Sequence, residues 1–223
     1  MQIAKNDQET FQIYDLGFAP NYKLVWDFQK RLVQKRIEKQ IPDSLILVEH
    51  DNVITLGRSS HLENILVKDL PLFEIERGGD VTYHGPGQLV AYPIFSLEER
   101  SLGIRQFVEL IESVIVATLN KVGVKNSFGK LGRETGVWIQ GRKIASIGVA
   151  VSHWVSYHGF ALNVTTDLSY FQKINPCGFE SSIMTSISRE LGSAPSLEQV
   201  KMLVIQSFCE KIRARPVHQI TTL

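Results

Sequence analysis

Cysteine is scarce in this sequence, with two residues, Cys177 and Cys209, in a chain of 223. No Cys-x-x-Cys pair and no ladder of cysteine and histidine accompanies them. That excludes a disulfide framework and the familiar zinc-ligand spacings, and it reads as a reduced, cytosolic chain. Long apolar runs are missing too: nothing approaches the roughly 18 consecutive residues of a spanning helix. The opening Met1-Gln2-Ile3-Ala4-Lys5-Asn6-Asp7 has neither the basic start nor the apolar stretch of a secretory signal. An excess of one charge is also absent; the net charge of +1 points to neither nucleic acid nor a membrane surface as a partner. There are no repeats, low-complexity tracts or Ser/Gly linkers. The expectation is therefore a soluble cytoplasmic protein folded as one domain over residues 1–223.

What is present suits an ordinary globular core. Hydrophobic residues make up 43% and charged residues 21% of the chain, enough to fold without metal or disulfide staples. Phe11 to Leu16 reads as a first strand. Pro20 to Gln40 reads as a helix, with Pro20 near its start and Pro42 past its end. Ser44 to Arg58 is β-like. Glu74 to Leu97 reads as strands broken at Gly78-Gly79 and at Gly85-Pro86-Gly87. Gly103 to Val122 carries apolar residues at helical spacing. Thr135 to Gln140 and Lys143 to Val151 predict a hairpin, followed by a strand from Val155 to Val164. Ser196 to Arg213 predicts a closing helix capped by Ser196. Strands come in runs rather than alternating with helices, which predicts an α+β fold with a mostly antiparallel sheet.

Three segments are poor filler for ordinary strands. Arg77 to Gln88, RGGDVTYHGPGQ, packs four glycines and a proline into twelve residues. Glycine weakens a strand, so the segment is either a cradle that lets backbone approach a ligand or a hairpin with tight turns. In Gly141 to Val164, two-residue alternation puts Ser146, Gly148 and Ala150 on one face, leaving room for a flat or elongated ligand or for a close-packed helix. The same alternation puts Lys143 on the other face with Ala145, Ile147, Val149 and Val151. There it is either a snorkelling strand-end residue or a functional amine. In Ile174 to Phe179, INPCGF, the turn residues Asn175-Pro176 and Gly178 place Cys177 on a loop, accessible as a nucleophile must be. Cys209, inside the last helix, reads as core filler, and His158 as a satisfied core histidine.

Taken together and in this order, RGGDVTYHGPGQ, GRKIASIG, HGFALNV and INPCGF closely resemble the lipoyl(octanoyl) transferase family. The resemblance runs from Arg77 to Phe179 and implies a fold like that of the biotin- and lipoate-protein ligases. It implies a thioester nucleophile at Cys177 and an acid/base at Lys143. It implies substrate contacts from Arg77, Gly78, Gly79, Asp80, Val81, Thr82, Tyr83 and His84, from Ser146, Ile147 and Gly148, and from Gly159, Phe160 and Ala161. No metal and no cofactor is implied. The donor would be octanoyl-acyl carrier protein. The acceptors would be lipoyl domains of 2-oxoacid dehydrogenase complexes and the glycine-cleavage H protein.

The residues themselves agree with that chemistry. Moving an acyl group from a thiol to an amine is easiest through a second thioester, and a nearby ammonium favours the thiolate this requires. An ATP-dependent ligase would need no cysteine nucleophile. A cysteine hydrolase would use His84 or His158 as base, and a metal module would use both with Cys177. Lys30, Arg31, Lys35, Arg36 and Lys39 crowd the first helix, as either a docking patch for an acidic carrier or a solvated face.

Overall fold

Residues 10–19, 21–175 and 181–220 are described by the structure, a computed structural model. The chain begins with a strand–helix–strand unit. β1 (Thr10–Ala19) and β2 (Ser44–His50) run parallel because α1 (Tyr22–Ile37) carries the chain back between them. Asn21 caps α1, its side-chain oxygen accepting from Leu24 N. The β-like stretch from Ser44 to Arg58 is not one strand. It breaks at Asp51-Asn52, and β3 (Val53–Leu56) joins a second, smaller sheet with β4 (Leu72–Glu74) and β5 (Val81–His84).

Gly85-Pro86-Gly87 then returns the chain to the main sheet as β6 (Gln88–Ile94), so this glycine-rich segment bridges two sheets instead of turning a hairpin. After α2 (Ile104–Val122) come β7 (Phe128–Lys130), β8 (Gly136–Ile139), β9 (Arg142–Ser152) and β10 (Val155–Asn163). The chain ends with α3 (Ile187–Leu191), α4 (Leu197–Ile212) and β11 (Arg215–Ile220). The main sheet runs β11-β1-β2-β6-β10-β9-β8-β7. β1 is parallel to both neighbours and β3 to β4; the other pairings are antiparallel. The expected α+β class stands.

Two faces of the main sheet are covered differently. Phe107, Ile111 and Ile115 of α2 and Val204 and Phe208 of α4 pack on one face against Leu47, Leu89 and Phe160. Each such side chain contributes about 1.5–3 kcal/mol on burial. Val25, Phe28 and Leu32 of α1 cover the other face beside Ile46, Val48, Val90 and Tyr92. α4 opens with a reciprocal cap: Ser196 N donates to Gln199 Oε1 at 2.9 Å, and Gln199 N to Ser196 Oγ at 3.2 Å. Cys209 packs on the α2 side, where burial pushes its thiol up. No described helix is long and apolar enough to cross a membrane.

Candidate active site

The hairpin of β8 and β9 turns on Gln140-Gly141, both with positive φ, 47° and 78°. That is the two-residue turn whose twist suits neighbouring strands. Further along, the strand period breaks. Gly136 pairs with Ser146 and Val137 with Ala145, but Trp138 pairs with Lys143, leaving Ile144 as an extra residue in β9. This is a β-bulge, and it reverses the face that the residue before it takes. Ile144 and Ala145 both bury in the α2-side core. Lys143 turns instead to the face of Ser146 and Gly148, where it borders a cavity. Strict alternation assigned Lys143 to the opposite face, with Ala145 and Ile147; the bulge corrects that expectation. The side chain is 2% exposed, with its amine 5.5 Å from the centre of the Trp138 ring.

The cavity is narrow, with about 40 Å³ open to the centre of a water molecule. Its floor crosses the main sheet: Ser146 on β9 pairs with Ala161 on β10, which pairs with Val90 on β6. A side chain at Gly159 would run into the Ala91 carbonyl, and one at Gly148 would meet Gly78 O at 2.9 Å. Ile147 and Phe160 border the cavity while their side chains belong to the α2-side core. The roof comes from the glycine-rich segment. Gly78 N donates to Val149 O at 2.9 Å, clamping the segment onto β9 and removing that N–H from the candidate oxyanion donors. Arg77 is buried, donating from Nη2 to Thr55 O at 2.7 Å and from Nη1 to Gly78 O at 3.1 Å.

Alternation along β5 divides the remaining expected contacts. Thr82 and His84 face the cavity. Val81 and Tyr83 point away into the small sheet's own core, where Tyr83 donates to Asn52 Oδ1 at 2.6 Å. Asp80 is committed to the neighbouring loop, accepting from His61 N at 3.1 Å and Asn64 Nδ2 at 2.5 Å. Asp80, Val81 and Tyr83 therefore do not line the cavity, whereas Arg77, Gly78 and Gly79 do.

Buried, uncharged aromatic groups complete the wall, with His50 behind it against Tyr92 and His84. His50 is bonded to the Tyr92 hydroxyl at 2.9 Å, and His84 lies parallel to Tyr22, ring centres 6.2 Å apart. Burial holds the imidazole of His84 down to about 4 and that of His50 to about 3, so both are neutral near pH 7. His158 has φ +54° within β10, and its Nε2 lies 3.3 Å from Glu76 Oε2. Burial also lowers His158. The His158 contact, with Lys30 and Trp26, holds the Glu76 carboxyl well below the carboxylate range. Among the described residues no cluster of histidine, cysteine and carboxylate is arranged to hold a metal ion.

Cys177 lies outside the described residues, and its flanks are anchored on both sides. Asn175 N donates to Asn64 O at 2.8 Å, and Thr185 N to Lys143 O at 2.9 Å.

The family model of the lipoyl protein ligase A/B catalytic domain matches residues 21–209. The octanoyltransferase of Syntrophobacter fumaroxidans is 46% identical over 195 residues, 84% of either chain. That of Syntrophotalea carbinolica is 42% identical over 95% of this chain and 100% of its own. This chain belongs to the octanoyltransferase family. Solved structures share the family's fold at lower identity. Lipoate-protein ligase A bound with ATP has 16% identity and a TM-score of 0.73, covering 96% of this chain and 90% of that one. A biotin protein ligase from Aquifex aeolicus has 12% identity and a TM-score of 0.53, covering 91% and 70%.

Tyr22, Ile75, Val90, Tyr92 and His158 also line the cavity of this family member and were not expected there. Val90 and Tyr92 are two apart on β6, so period 2 would have grouped them once the face was known. Nothing local marks Tyr22, which arrives through the packing of α1. The basic helix is less basic at its surface than its sequence. Arg36 is 7% exposed and donates from Nε to Asp43 Oδ1 at 2.8 Å, and Lys30 bonds Glu76 at 2.9 Å.

Proposed function

We propose that this chain transfers an octanoyl group from acyl carrier protein to a lysine of a lipoyl domain, through a thioester on Cys177 with Lys143 as general acid and base. The observation that carries this reading is the bulge at Ile144, which takes the Lys143 amine out of the core face and sets it at the small-residue floor of the cavity. A snorkelling strand-end lysine would reach solvent, and this one is buried. The relatives' shared name, octanoyltransferase, supports the acyl group. A lipoate protein ligase solved with its E2 lipoyl domain, from Thermoplasma acidophilum, has the same fold at a TM-score of 0.72 and supports the acceptor.

Cys177 Sγ, as thiolate, attacks the octanoyl carbonyl; a new C–S bond forms and the carrier's C–S bond breaks. The departing carrier thiolate takes a proton from the Lys143 ammonium. The incoming lysine amine then attacks the new thioester, neutral Lys143 takes its proton, and the Cys177 thiolate leaves. The acyl tail lies over Ser146, Ala161 and Val90. No ATP is consumed, because the acyl group arrives already activated.

Intact-mass measurement after mixing with octanoyl-carrier protein tests this. One octanoyl adduct per chain is expected, mapped to Cys177, absent in Cys177→Ser and formed without ATP or magnesium. An adduct on Cys209, or use of free octanoate plus ATP in place of the thioester, would overturn it.

A further inference from the structure

Two buried carboxamides connect through Thr185 to the backbone of Lys143, and each can point only one way. Asn163 ends β10 and pairs across the strands with Gln88, which opens β6; each is 1% exposed. Asn163 Nδ2 donates to the Thr185 carbonyl at 2.9 Å. A carbonyl has no proton to give, so the amide must meet it with nitrogen and turn Oδ1 to Gln88. Oδ1 accepts from Gln88 Nε2 at 3.0 Å. That leaves Gln88 Oε1 facing His84 Nδ1 at 2.8 Å, where only a protonated Nδ1 can donate.

From Thr185 the network continues to the site. Thr185 N donates to the Lys143 carbonyl at 2.9 Å, and Met184 bridges Lys143 in parallel register. Thr185 Oγ1 donates to Glu190, which holds Arg142, the residue before Lys143, at 3.0 and 2.8 Å. Thr185 thus grips the lysine's strand from its backbone and, through Glu190, from the preceding side chain. It also belongs to the first described stretch after Cys177.

We propose that Asn163 is a positioning residue for acyl transfer: its carboxamide holds Thr185, and through Thr185 the backbone of Lys143 and the chain following Cys177, in one register. This rests on the reading of Lys143 and Cys177 given above. A displacement of about 1 Å at reacting groups can cost on the order of 100-fold in rate, so a pin two bonds away from the amine's strand has leverage on turnover. A residue that merely fills the core would affect stability and leave the pH profile alone.

Asn163→Asp provides a test with a sign. A protonated carboxyl has the shape of the amide, donates its hydroxyl to Thr185 O and still accepts from Gln88. An ionised carboxylate donates nothing and sets a charge against that carbonyl. Burial raises the carboxyl's pKa, so the exchange falls in an accessible range. The turnover of Asn163→Asp relative to wild type should therefore climb about tenfold or more as pH falls from about 8 to about 5.5, with KM for the octanoyl donor nearly unchanged. Asn163→Ala should stay low throughout. Gln88→Glu is the second variant, because an ionised group there opposes Asn163 Oδ1 and a protonated one satisfies it; the same climb is expected. The assay is octanoyl transfer to a lipoyl domain, with unfolding curves at each pH to confirm folded protein. A flat ratio in the carboxyl variants, or wild-type turnover in Asn163→Ala, overturns the proposal. A wild type that turns over with no adduct on Cys177 instead overturns the thioester, and the pH ratio still decides the role of Asn163.

Discussion

A Cβ added to Gly136 would lie 2.6 Å from Lys143 Cε, and it would also press on the Ala145 carbonyl. The residue paired with Ser146, just beyond the bulge, must therefore be glycine, because a side chain there would occupy the path of the lysine. Gly136→Ala should displace the Lys143 amine and lower octanoyl transfer by about 100-fold. The accompanying stability loss should be no more than about 1–3 kcal/mol. Turnover measured beside a urea unfolding curve checks this, and a variant with normal turnover would show that the amine's position is not critical.

Lys143 itself separates charge from proton transfer. Lys143→Met keeps much of the stem and removes the charge. The Cys177 thiol, followed by the pH dependence of alkylation, should then move up towards the free value of about 8.5, and acyl transfer should fall by about two orders of magnitude. Lys143→Arg should restore the thiol's acidity better than the turnover, because a guanidinium keeps the charge and does not give up its proton at these pH values. An alkylation profile in Lys143→Met that overlays the wild type, together with normal turnover, would remove Lys143 from the mechanism.

The limits of the sequence are clearest at this same lysine. Helix α1 was legible from Pro20 and Pro42 near its ends, α2 from apolar spacing and α4 from its Ser196 cap, and the β8–β9 hairpin from Gln140-Gly141. The strand between Lys143 and Val151 was legible too, but its bulge was not. Period 2 is a rule about uninterrupted pairing, and an inserted residue is set by the partner strand, which lies elsewhere in the chain. The division of β5 was not legible for a related reason. Motif resemblance treats Arg77 to His84 as one unit, while the pleat sends Val81 and Tyr83 into a separate core. β11 was missed because six residues following a helix carry little signal until β1 offers them an edge.

The first helix now makes a narrower docking prediction. Arg36 is committed to Asp43 and Glu99, Lys39 lies 3.6 Å from Glu99 and Lys30 bonds Glu76, so within the Lys30 to Lys39 cluster Arg31 and Lys35 are the exposed cations outside these pairs. If an acidic carrier protein binds there, Arg31→Glu with Lys35→Glu should raise its KM several-fold with kcat nearly unchanged, and the effect should fade at high salt. An unchanged KM at low salt would leave the helix as solvated surface.

Buried imidazoles give the fold a pH dependence of its own. His84, held near 4, and His50, held near 3, are kept neutral by burial, whereas both titrate near 6.5 in the unfolded chain. Below that value the unfolded chain binds protons that the folded one refuses, so stability rises with pH across this window. The contribution is fully present above about pH 6.5 and is lost as pH falls towards 4. His158, also lowered by burial, acts in the same direction. Carboxylates with depressed values, such as Glu76, lose their contribution at lower pH, so the interval from about 6.5 to 5 isolates the histidines. Each deeply buried imidazole should remove on the order of 2 kcal/mol between pH 7 and pH 5. Urea unfolding at these two pH values should show a clear loss in wild type and a smaller one in His84→Asn. An equal loss in both proteins would mean that His84 is protonated in the folded state, and with it that the Nδ1 proton assigned through Gln88 is not the only one it carries.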